Sequence, residues 1–108
     1  MTPQYILVMV TAPSVEAGQQ IADTLVQSKL AACVNLISPV ESHYLWQGEK
    51  VVDDEVLLLI KTRAEYFDQE LVPAIQSIHP YQVPEIIALP ILMGSQSYLD
   101  WIEEMTHR

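Results

Sequence analysis

His79-Pro80-Tyr81-Gln82-Val83-Pro84-Glu85-Ile86 is the stretch from which the fold of this chain is worked outward. Its two prolines fix φ at their own positions and push His79 and Val83 toward extended geometry, so the segment is a stiff connector and not a helix. Such a connector hands the chain from a helical layer to a sheet. It also carries His79, Tyr81, Gln82 and Glu85 on rigid backbone, where polar groups lose little entropy on meeting a ligand or a partner. The plainer alternative is a strand entrance marked by prolines, with a structural role alone.

On the N-terminal side, Phe67, Leu71, Ile75 and Ile78 recur at spacings of four, four and three, which predicts an amphipathic helix over 64–78 with a kink or short break at Pro73. On the C-terminal side, Glu85 to Leu89 reads as a strand ended by Pro90, and Ser97 to Met105 as a short helix after Gly94-Ser95. Further upstream, Tyr5 to Val10 is an apolar run that reads as a strand buried on both faces. Ser14 stands where an N-cap belongs, and Ile21, Ala22, Leu25 and Val26 carry a helix to about Ser28, with Gly18 costing ~1 kcal/mol relative to alanine. A second strand runs from Leu30 to Ile37, bends or bulges at Pro39 and resumes from Val40 to Trp46. Gln47-Gly48-Glu49 is the turn into a return strand over Lys50 to Thr62.

Strand, helix, strand, strand, helix, strand is the order of the split βαβ unit. The predicted class is therefore α+β: a ferredoxin-like βαββαβ antiparallel sheet, two helices on one face, plus a short C-terminal helix, all in one domain over 1–108. On the third strand Val56, Leu58 and Ile60 point one way, and Leu57 and Leu59 the other. Two helices cover only one side. An apolar sheet face of several hundred Å² at ~25 cal/mol per Å² would favour association by roughly 10 kcal/mol before the entropy of assembly. A homo-oligomer that joins these faces is expected, with Trp101 and Leu99 of the last helix covering part of them.

Composition narrows the partners. The chain has 108 residues, of which only 18% are charged, and its formal net charge of -9 would repel nucleic acid or an anionic membrane. Met1 to Gln4 has no basic region and the apolar run after it is too short for a signal core or a span, so a mature, soluble chain is expected. The single cysteine, Cys33, allows no intrachain disulfide and reads as a buried structural residue among Ala31, Ala32 and Val34. Asp53, Asp54 and Glu55 alternate in direction along a strand and read as a solvated hairpin end, not as a calcium site.

The segments Thr11-Ala12-Pro13, Leu30-Ala31-Ala32-Cys33-Val34-Asn35, Tyr44-Leu45-Trp46-Gln47-Gly48, Ile60-Lys61-Thr62, His79 to Ile86 and Tyr98-Leu99-Asp100-Trp101 together resemble the CutA family of divalent-cation tolerance proteins. The resemblance spans Tyr5 to Trp101. It implies a ferredoxin-like subunit, a tightly packed homotrimer similar in shape to the PII signalling proteins, a cytoplasmic setting and a link to copper and other divalent metals. Members similar to this chain place a cysteine before Thr-Ala-Pro and an extra histidine before His-Pro-Tyr as proposed copper ligands; here Val10 and Ile78 hold those positions. Of that set His79 alone remains as the metal candidate, and loss of the thiolate weakens a copper(I) site most.

Beside the resemblance stands a candidate intersubunit cleft of Tyr44, Trp46, Lys61, Tyr81 and Glu85, with aromatic walls and few polar groups. In it Lys61 would hold an anionic ligand or a partner's carboxylate; otherwise it snorkels at the sheet edge or pairs with Glu85. His43 and His107 lie too far from His79 in sequence for metal-ligand spacing within one chain. Three functions follow. The first is a non-enzymatic trimer that binds a metal ion, copper or another divalent cation, or a small ligand; no other cofactor is indicated. The second is a rigid trimeric interaction or signalling module without direct metal binding. The third is an enzyme using His79 and Glu85 as acid and base, which lacks a nucleophile beside a base at recognisable spacing.

Overall fold

The computed structural model describes residues 3–108, so the first two residues of the Met1–Gln4 segment lie outside it. Four strands, β1 (Tyr5–Ala12), β2 (Cys33–Trp46), β3 (Glu49–Arg63) and β4 (Ile86–Pro90), form one antiparallel sheet in the order β2-β3-β1-β4. Because β3 runs antiparallel to both β1 and β2, and β1 to both β3 and β4, the two helical crossovers each join parallel strands. This is the expected ferredoxin-like α+β arrangement.

Helix α1 (Val15–Gln27) starts at the expected cap, where the Ser14 hydroxyl accepts the Ala17 N–H. Its end corrects one boundary. Leu30 and Ala31 were expected to open β2, but their N–H groups both donate to Leu25 O, closing the helix with Lys29 in the left-handed region at φ 63°. The strand therefore begins at Cys33.

The second helical layer opens with a 3₁₀ turn, Ala64–Tyr66, and a wide turn, Phe67–Leu71, in which Val72 N–H reaches Phe67 O. Helix α2 (Val72–Ile78) follows, with Pro73 in its first turn, where a missing N–H costs nothing. The break thus falls just ahead of Pro73. Leu71 and Ile75 pack with Ile21, Leu25, Val8, Val10, Leu58 and Ile60 into the main core, between both helices and one sheet face.

Pro39 shifts the β2–β3 register between Ile37 and Val40, as its expected bulge requires, and the peptide before it is cis. Beyond the shift, β2 and β3 continue paired to Trp46 and Glu49, joined by Gln47 and Gly48, both at positive φ, 52° and 82°. That backbone matches the right-handed twist of a two-residue hairpin, so the turn is one residue tighter than expected. β4 ends at Pro90, as expected, and Pro90 still pairs with Ile6 as the last residue of this edge strand, where its missing donor faces away from the ladder.

The other sheet face carries Leu7 and Met9 of β1, Leu57 and Leu59 of β3, Ile37 of β2 and Ile87 and Leu89 of β4, matched by cross-strand register. The first four are half-buried; Ile37, Ile87 and Leu89 are exposed. Helix α3 (Gln96–Met105) covers only one corner, through Ile102 and Leu99 against Tyr5, Ala32 and Ile91. Trp101 on the same helix remains 37% exposed, its ring beside that of Tyr98. A three-residue network holds the corner, in which Tyr5 donates to Glu103 Oε1 at 2.8 Å and Arg63 Nη1 pairs with Glu103 Oε2 at 2.9 Å.

Candidate functional site

One end of the helix-free face becomes a groove of about 840 Å³ between the long β2–β3 hairpin and the proline-stiffened connector. Alternation along the strands sets its floor: Ser42 and Tyr44 share a face with Asp53 and Val51, their cross-strand partners, and with Glu55. The connector supplies the opposite wall, with Tyr81, Gln82 and Glu85. Tyr44 and Trp46 remain 39% and 49% exposed, so their rings are available to an occupant.

Two tyrosine–carboxylate pairs hold this end together. Tyr81 donates its hydroxyl to Glu55 Oε2 at 2.8 Å, and Tyr44 donates to Asp53 Oδ2. Burial, reinforced by the bond to Glu55 and by that carboxylate's charge, raises the Tyr81 hydroxyl well above the ordinary phenol range. For Tyr44 the bond to Asp53 is the leading cause, and its pKa is pushed up to about 12. Both hydroxyls are donors throughout the physiological range. Glu55 is only 7% exposed, which corrects the reading of the acidic cluster as a solvated hairpin end. Its neighbour Asp54 points to the other side of the strand and is exposed.

His79 is buried, with both ring nitrogens engaged. Nε2 lies 2.7 Å from Thr11 O, and Nδ1 accepts the Tyr81 N–H at 3.1 Å, a pattern that assigns the proton to Nε2. The ring fastens the connector to β1. A metal ligand was expected here, and neither nitrogen is free to serve as one. Among the described residues no three His, Cys, Asp or Glu side chains converge as a metal site requires. His43 is exposed, pairs with Glu41 at 2.8 Å and also contributes to the lining of the groove.

Of the five cleft candidates, Tyr44, Trp46, Tyr81 and Glu85 line the groove and Lys61 does not. Lys61 stands on β3 between Leu7 and Cys33, and its Nζ meets Asn35 Oδ1, not Glu85. Six residues along a strand separate it from Glu55, about 20 Å at ~3.3 Å per residue. Cys33, expected to be buried, is half-buried on that same face. Glu55 and Thr11 were missed as groove members. The signal was strand parity, which Glu55 shares with Leu57 and Leu59 and Thr11 shares with Leu7 and Met9, and which places both on the helix-free face.

Fold and site define a class: a ferredoxin-like α+β chain with a largely uncovered apolar sheet face and an aromatic, carboxylate-bearing groove beside it. Residues 6–105 match the family model described as CutA1 divalent ion tolerance protein. The chain belongs to that family. It is 49% identical over 100 residues to a divalent-cation tolerance protein CutA of Thermus thermophilus, covering 93% of this chain and 96% of that one. A chloroplastic CutA protein of Arabidopsis thaliana is 48% identical over 94% of this chain, which spans 55% of that relative's length. In structure the chain is similar to CutA1 of Oryza sativa, with a TM-score of 0.93 at 44% identity, covering 99% of this chain and 97% of the other. Among the described residues no helix is long and apolar enough to cross a membrane.

Proposed function

We propose that this chain works as a cytoplasmic, non-enzymatic homotrimer in tolerance of divalent metal ions, copper among them, and that it takes a metal ion or small ligand in a groove completed at the subunit boundary. The observation that carries this reading is the helix-free sheet face. Leu7, Met9, Leu57 and Leu59 are only half-buried there, and Ile37, Ile87 and Leu89 are exposed, a continuous apolar surface that a monomer would leave in water. The groove opens on the same face, so joining such faces would wall it with a second copy. A trimer with this subunit fold has the PII-like shape that the family resemblance suggests.

Two features support a non-catalytic role. The groove's phenols are held protonated, which makes them poor bases at neutral pH, and its histidine neighbour spends both nitrogens on backbone groups. The committed His79 ring also favours the second reading, a rigid trimeric interaction module that binds no metal itself. Native mass spectrometry and elemental analysis of tag-free protein test both. Three chains per particle are expected, and a single-chain particle at micromolar concentration would sink the assembly. Metal retained in stoichiometric amount supports direct binding, and its absence favours the interaction module.

A further inference from the structure

We infer that the groove is selective for small organic ammonium ions. This rests on the proposed function's groove and names the chemistry of its occupant. Lys61 was the group that would have made the cleft an anion site, and it stands about six strand positions away, against Asn35. Among the described residues that line the groove, none is lysine or arginine. Its charged groups are the carboxylates of Glu55 and Glu85, set beside the rings of Tyr44, Trp46 and Tyr81, with His43 and neutral polar groups completing the lining.

The sign of the site is therefore negative, within a chain of formal net charge -9. An anionic ligand would meet uncompensated carboxylates, one of them on the buried side chain of Glu55. Aromatic faces add a second preference. Their quadrupoles attract an ammonium group that approaches the ring, most strongly at tryptophan, while a hydrated divalent ion seeks converging oxygen ligands instead. Tyr81 and Tyr44 direct their hydroxyls at Glu55 and Asp53, which holds the Glu55 carboxylate as a fixed acceptor in the groove; one side of the Tyr81 ring lies against His79, while Tyr44 and Trp46 keep exposed ring surface for an occupant. Volume agrees with the chemistry: about 840 Å³ admits a metabolite-sized cation and far exceeds the need of a bare ion.

The test is calorimetry on the full chain, titrating choline chloride against its neutral isostere, 3,3-dimethylbutan-1-ol, with magnesium chloride and copper(II) chloride as separate arms. Choline is expected to bind in the millimolar range and the isostere at least about tenfold more weakly. Glu55→Gln, which keeps an acceptor for Tyr81, and Trp46→Ala, at a half-exposed position, are each expected to weaken choline about tenfold. Equal binding of choline and its isostere overturns the inference, as do unchanged affinities in both variants. Heat from a metal salt with none from choline up to about 20 mM overturns it in favour of an inorganic ion. Native mass on the same samples separates the two levels: an intact trimer that ignores choline defeats this inference alone, and a single-chain particle defeats the assembly beneath it.

Discussion

The Tyr81 hydroxyl and the Glu55 carboxylate, 26 residues apart in sequence, meet at 2.8 Å and tie the connector to the middle of the longest strand. Removing the hydroxyl leaves a carboxylate on a 7%-exposed residue without that partner. Tyr81→Phe is expected to cost about 1–2 kcal/mol, read as a lower guanidinium midpoint with unchanged slope. An unchanged midpoint would show that water replaces the bond at no loss.

The same pairs set the alkaline limit of stability. Tyr44 is pushed up to about 12 by Asp53 and Tyr81 is raised by burial and Glu55, whereas unfolded tyrosine ionises near ~10. Below pH ~10 both states hold these protons, and above it only the unfolded state releases them, so stability is complete below that pH and declines as pH rises through the folded values. Absorbance at the phenolate band should show Tyr44 titrating near 12 in the native protein, a step that Tyr44→Phe removes. Ionisation of all five tyrosines together near ~10 in the native state would contradict the pairing.

His79 bridges the connector and β1 through Thr11 O and Tyr81 N–H. His79→Ala is expected to lose about 2–3 kcal/mol, from two hydrogen bonds and the packing of a buried ring. Any divalent-ion affinity of the wild-type protein should survive the change, because neither nitrogen is free to ligate. A metal titration in which the variant alone fails to bind, while still folded by circular dichroism, would restore His79 as a ligand.

Leu59 sits between Met9 and Asn35 near the middle of the helix-free face. A lysine there leaves the main core untouched and places a charge in the proposed contact. Leu59→Lys should therefore reduce the sedimenting mass to one chain at micromolar concentration with the far-ultraviolet spectrum retained. A variant with wild-type mass would exclude this face from the contact.

Gly18 lies where α1 approaches the sheet, and a Cβ there would come within 3.2 Å of Leu36 Cδ2 and 3.4 Å of Val56 Cγ1 and Leu58 Cδ1. In an open helix, alanine would gain about 1 kcal/mol. Here the gain is offset by crowding, and Gly18→Ala should change stability by less than about 0.5 kcal/mol, while Gly18→Val should lose about 2 kcal/mol. A full gain from alanine in thermal melts would mean that the layers separate easily.

The amino-acid sequence alone determined the element order, the two-sided apolar strands and the stiff connector. Each is local: Ser14 caps its own helix, Pro80 and Pro84 restrict their own neighbours, and the alternation of Val56 to Ile60 is a property of five consecutive residues. Only the tertiary structure decided which groups meet. The register shift after Ile37 pairs Glu55 with Val40 and brings it to Tyr81, His79 reaches Thr11 across 68 residues, and Lys61 falls at the far end of the face from the groove it was expected to serve. A side chain's parity along a strand is written in the chain, but its partner depends on strand register, which is settled only when distant segments pack together.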